Sequence, residues 1–151
     1  MSGITRYTFF VAAFCAVLVF GLNKPAQSES INALLATADV AAGQAVSAKC
    51  TGCHSFDKDG ANKMGPNLWN VVNSSYAYKD GFKYSDALKS HNGKKKWSYS
   101  ELDGFIASPK EHVPGNKMAM FSGIKDSKDR ANLIAWLRMQ ADTPAALPAA
   151  K

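Results

Sequence analysis

Five consecutive residues, Cys50-Thr51-Gly52-Cys53-His54, constrain this chain more than anything else in it. Two thiols at that spacing can add to the two vinyl groups along one edge of a heme, and the histidine that follows then reaches the iron. The competing use of a Cys-x-x-Cys is half of a zinc site, which needs a second such pair or a pair of histidines. The one further cysteine is Cys15, inside an apolar N-terminal run, so the zinc partner is missing. A redox dithiol sits where a strand meets a helix, whereas the residues before Cys50 read as helix alone.

Of the 151 residues, about 110 remain for a compact fold once a targeting segment and a loose tail are set aside, which is one domain. A chain that short gains from a heme as part of its core. The formal net charge is +6; without residues 1–28 it is +4, from 16 basic and 12 acidic residues. Lysines recur at 58, 63, 79, 83, 89, 94, 95, 96, 110, 117, 125 and 128. They suit long-range steering onto an acidic protein surface. They follow no nucleic-acid recognition motif.

Residues 1–28 form an export or anchoring segment. After a short basic start ending at Arg6, residues 7–22 carry no charge and are rich in Phe, Val and Ala, and Lys24 closes the run. As a helix the uncharged stretch spans roughly 26 Å, just short of a hydrocarbon core of about 30 Å. Ala26-Gln27-Ser28 offers a small-x-small cleavage pattern, against which stands the charge of Lys24. Both a cleaved signal peptide and a retained anchor stay open, with the anchor preferred; either places the domain outside the cytoplasm.

Residues 29–37 then read as a linker, 38–140 as the domain, and 141–151, with Pro144 and Pro148 among alanines, as a disordered tail. Val40, Gly43, Val46 and Cys50 share one helix face, with Asp39 or Thr37 as cap. Residues 55–83 are Gly-, Asn- and Ser-rich loop, and a short helix follows around 84–90. Ser98-x-x-Glu101 is a capping box opening a helix that Pro109 stops. A last helix starts at Asp126 or Ser127 and turns Leu133, Ile134, Trp136 and Leu137 inward, with Arg130 and Arg138 outside. The class is all-α, a few helices and long loops around one covalent heme.

An iron held by His54 needs a sixth ligand if it is to pass electrons without binding oxygen. Met139 lies in the last helix, where core burial is expected, and Met64 lies in a loop suited to the histidine side. Met118 and Met120 remain, in the loop after Pro114-Gly115.

Beyond the pentapeptide, several stretches occur in order over about residues 38–140: Gly65-Pro66-Asn67-Leu68, Gly81-Phe82-Lys83-Tyr84-Ser85-Asp86-Ala87, Trp97, Pro109-Lys110, Pro114-Gly115-Asn116-Lys117-Met118, and Asn132-Leu133-Ile134-Ala135-Trp136-Leu137. On these the domain resembles a class I c-type cytochrome of the bacterial membrane-anchored branch related to mitochondrial cytochrome c and cytochrome c2. The resemblance implies Cys50 and Cys53 as thioether links to one heme c, His54 as proximal and Met118 as distal iron ligand. It implies that the carbonyl of Pro66 holds the other ring nitrogen of His54, that Tyr84 and Trp97 donate to a heme propionate, and that Gly43 lets the first and last helices approach. It departs from the family where Met118 and Gly123 are one residue further apart than usual, so that counting back from Gly123 falls nearer Met120. Phe105 replaces a frequent tyrosine, and Ser74 a frequent arginine.

The function implied is a mono-heme electron carrier, not an enzyme. It would pass single electrons between a bc1-type donor and an oxidase-type acceptor in a respiratory chain, on the periplasmic side of the inner membrane. Acidic docking surfaces on redox partner proteins are expected, with no nucleic acid and no small-molecule substrate. The competing class is a heme enzyme or gas sensor with an open sixth position, which would bind carbon monoxide readily.

Overall fold

The computed structural model describes residues 30–118 and 120–148. The export or anchor segment at 1–28 lies outside them. Among the described residues no helix is long and apolar enough to cross a membrane. They hold six helices and no strand, only one isolated antiparallel bridge between Ser75 and Lys96.

Two helices form the frame. α2 (Val40–Ser47) is capped by Asp39, whose carboxylate accepts from the amides of Ala41 and Ala42 at 2.8 and 3.1 Å. α6 (Ser127–Met139) is capped by Asp126, which accepts from the amide of Asp129 at 2.8 Å. Both caps satisfy amides that a helix start leaves without partners. The helices cross at Gly43, where a Cβ would lie 2.0 Å from the backbone oxygen of Asn132. The Asn132 side chain then accepts from the Asp39 amide at 2.8 Å, so the cap of one helix is tied to the middle of the other. Leu133, Ile134 and Leu137 are buried on α6, as the pattern predicts. Met139 departs from expectation: it is the last residue of α6 and is 44% exposed.

Between these helices the chain makes long loops, α3 (Asp86–Lys89), α4 (Tyr99–Ala107) and α5 (Pro109–His112). Ser98 caps α4 by accepting from the Glu101 amide at 3.3 Å. Only half of the capping box forms, because the Ser98 amide donates to the Lys96 carbonyl and the Glu101 carboxylate turns elsewhere. Pro109 ends α4 and also opens α5, where its missing N–H costs nothing.

Two boundary expectations are corrected. Residues 29–37 are not a bare linker: Ile31–Ala36 is a helix, α1, capped by Ser30 and packed on α4 and α6 through the buried Leu35. Six residues are too few to display a period, and tertiary burial stabilises the helix. Residues 141–148 do not stand apart as a loose tail. Asp142 accepts from Lys58, from Trp69 Nε1 at 3.2 Å and from Asn70 Nδ2 at 3.0 Å, while Arg138 Nε donates to the Ala145 carbonyl at 2.6 Å. The Asp142 bonds span 72 to 84 residues of sequence, and Pro-Ala composition carries no trace of them. Residues 149–151 lie outside the described residues.

Candidate functional site

The loops and helices enclose an apolar cavity of about 240 Å³. Cys50, Cys53 and His54 line it from the turns that continue α2, and Met118 from the loop after α5. Leu102, Phe105 and Ile106 of α4 and Leu133 and Leu137 of α6 supply the apolar wall. The pentapeptide stays coiled: the amides of Cys53 and His54 both donate to the Cys50 carbonyl, at 3.0 and 2.9 Å. Burial and the neighbouring Cys53 push the Cys50 thiol up, with Lys49 opposing.

His54 is buried, and its Nδ1 lies 2.7 Å from the Pro66 carbonyl. A carbonyl can only accept, so Nδ1 carries the proton and Nε2 keeps its lone pair for a metal. Burial lowers the histidine pKa, the Pro66 bond partly offsets this, and Lys63 adds to the lowering. The net effect favours the neutral ring that a metal requires. Gly65 makes the approach possible, since a Cβ there would stand 2.3 Å from Cε1 of His54.

Asn67 is the residue that sequence reasoning left without a role. Fully buried, it donates through Nδ2 to Ser55 Oγ at 2.8 Å and the Asp57 carbonyl at 3.0 Å, and accepts from the Trp69 amide at 3.1 Å. It fastens the Pro66 loop to the chain just past His54. The signal available was an asparagine directly after Gly-Pro.

Tyr84 and Trp97 are buried side chains lining the same cavity. The Tyr84 hydroxyl accepts from the Lys79 amide at 3.3 Å, which leaves its own proton to give. Trp97 stacks on Tyr76 at 3.8 Å. Phe105 brings no hydroxyl to the wall, and Ser74 Oγ donates to the Val71 carbonyl at 2.7 Å, adding no charge.

The methionines separate by burial. Met118 is half-buried, whereas Met64 and Met120, both on the rim of the cavity, are 81% and 98% exposed. Met118 is held by Asn116, a second residue missed from sequence. The buried Asn116 accepts from the Met118 amide at 2.6 Å and donates to the Pro109 and Val113 carbonyls, both at 2.7 Å. Where the loop returns, the Ile124 amide donates to the Ile106 carbonyl at 2.9 Å. Gly123 there has φ +84 and no room for a Cβ beside the Ala107 carbonyl.

Two thiols, an imidazole Nε2 and a thioether around one apolar cavity fit a covalent heme. The family model described as Cytochrome c matches residues 40–141. The chain belongs to the cytochrome c family. It is a class I c-type cytochrome, and the family binds one heme c covalently, here through Cys50 and Cys53. Cytochromes c of this kind are electron-transfer proteins, not enzymes. A cytochrome c homolog of Bradyrhizobium diazoefficiens is 42% identical over 83% of this chain and 67% of that protein. A cytochrome c2 of Agrobacterium tumefaciens is 36% identical over 70% of this chain and 95% of its own. The structure of cytochrome cH from Methylobacterium extorquens superposes with a TM-score of 0.60 at 40% identity, covering 67% of this chain and 98% of that one. The chain spans about three fifths of the length of several curated cytochrome c relatives, as with the 62% of the Rickettsia prowazekii protein.

Proposed function

We propose that this chain is a mono-heme carrier that passes single electrons from a bc1-type complex to a terminal oxidase on the periplasmic side of a bacterial inner membrane. The observation that carries the reading is the half-buried Met118 sharing one apolar cavity with the Nε2 face of His54, while Met64, Met120 and Met139 are exposed. In this reading Cys50 and Cys53 hold the heme, His54 and Met118 are the iron ligands, and Tyr84 and Trp97 donate to a propionate. When bound, the heme supplies a one-electron iron couple.

The residues do the rest. Pro66 fixes the histidine tautomer and orientation, and the apolar wall excludes water. The Met118 thioether would raise the reduction potential of the bound iron and would close the site to small ligands. Lys63, Lys83, Lys110 and Lys117 favour partners with acidic docking surfaces. Lys63 and Lys117 lie against the site, their ammonium groups donating to the Thr51 and Lys83 carbonyls. Residues 1–28 would deliver the domain to the periplasmic side or hold it there. N-terminal sequencing of the membrane fraction tests that, and soluble protein beginning at Glu29 would remove the anchor.

The deciding test is the ferric optical spectrum of wild type, Met118→Ala and Met120→Ala, read at the weak far-red band of a sulfur–iron bond. The expected result is a band in wild type and Met120→Ala that Met118→Ala abolishes. A wild type lacking the band, with ferrous protein that takes up carbon monoxide, would instead establish an open-site heme protein.

A further inference from the structure

Glu101, on the first turn of α4, joins three segments that are far apart in sequence. Its Oε2 accepts from the Tyr76 hydroxyl at 2.5 Å and meets Nε2 of His112 at 2.8 Å, with Lys95 Nζ at 3.8 Å. The Tyr76 bond holds the carboxyl below its ordinary range, with His112 and Lys95 adding to it and burial opposing. An ionised carboxylate only accepts, so His112 Nε2 is the donor. Among the described residues these are the charged or titratable groups that face Glu101, and His91 stands edge-on to Tyr76 at 5.9 Å.

The contacts close a circuit. Tyr76 is fully buried and stacked on Trp97, Trp97 meets Phe105 edge-on at 4.9 Å, and Phe105 meets His112 at 6.3 Å. Trp97 and Phe105 line the heme cavity, whereas Tyr76, Glu101 and His112 do not. His112 ends α5, the short helix whose Pro109 carbonyl, with that of the adjacent Val113, is gripped by Asn116. Gly104 shows that the ring has a built seat. A Cβ there would lie 2.6 Å from both Cε1 and Nδ1 of His112, so only glycine lets the ring press against α4. A glycine inside a helix is otherwise unfavourable.

We propose that Tyr76, Glu101 and His112 form a latch that positions the Met118 loop, joining the wall that carries Trp97 to the base from which that loop departs. The latch rests on Met118 being the distal ligand. Its three members are positioning residues that act through Trp97, Phe105 and Asn116. Opening it lets α5 drift, loosens the grip of Asn116 and frees the methionine from the iron more often.

The test uses ferrous holoprotein and carbon monoxide, which enters when the methionine leaves, together with the ferric far-red band and the thermal midpoint. Glu101→Ala and His112→Phe should each raise the uptake rate roughly tenfold, the scale of one lost hydrogen bond to a charged group. Their double variant should be no faster than either alone. Glu101→Gln and His112→Gln, which keep an acceptor and a donor, should stay within about twofold of wild type. If the alanine variant does not fold, His112→Phe against His112→Gln decides alone. Lowered thermal midpoints with unchanged uptake and band would overturn the latch and leave a structural cluster. A wild type without the band would instead overturn the ligand assignment beneath it.

Discussion

Gly43→Ala isolates the contact on which the whole frame depends. The new methyl carbon would sit 2.0 Å from the Asn132 backbone oxygen, 2.5 Å from its carbonyl carbon and 2.9 Å from Trp136 Cβ. Two of these three are backbone atoms, which no rotamer change can move aside. Restoring an ordinary 3.4 Å contact would require α2 and α6 to separate by roughly 1.4 Å, a case of overpacking that costs about 1–3 kcal/mol. The same displacement stretches the 2.8 Å bond from the Asp39 amide to Asn132, worth about 1 kcal/mol. Alanine recovers up to about 1 kcal/mol of helix propensity. The net loss is about 1–4 kcal/mol, which lowers the thermal midpoint of a domain of roughly 100 residues by about 5–30 °C. Far-ultraviolet circular dichroism of the holoprotein reads it, with Gly52→Ala as control, since a Cβ at Gly52 meets nothing within 4 Å. A Gly43→Ala midpoint equal to that control would refute the reasoning.

Asn116→Ala strips the Met118 amide and two carbonyls of a buried partner, and should cost about 2–4 kcal/mol and admit carbon monoxide to the ferrous heme; urea unfolding and a gas titration read the two effects. Asp142 is held down from 3.8 to about 2, first by Lys58, then by Asn70 and Trp69. A depressed carboxyl stabilises the fold above its ordinary value and loses that contribution as pH falls through the folded one. Wild type should therefore exceed Asp142→Asn in urea midpoint at pH 6, with the gap closing between about pH 4 and pH 2; a gap independent of pH would show that the strap does not depend on the charge.

The sequence carried whatever depends on near neighbours. The heme motif is five adjacent residues, and the caps at Asp39, Ser98 and Asp126 each bond an amide two or three residues on. Long-range partners were not legible. Ile31–Ala36 is too short to show a period, and its burial is conferred by α4 and α6. Asp142 reads as part of a featureless tail, although its partners Lys58, Trp69 and Asn70 make it a strap. Glu101 has the spacing of a capping box, yet two stronger partners drew its carboxylate away.

By itself, then, the sequence determined the covalent heme site, the all-α class and the starts of α2, α4 and α6, because each rests on chemistry within one helical turn. Tertiary structure alone decided that Met118 is the sheltered methionine, that Asn116 and Asn67 hold the two sides of the site, and that Glu101 binds Tyr76 and His112. Those outcomes depend on which polar atoms become buried together, and burial is a property of the packed chain.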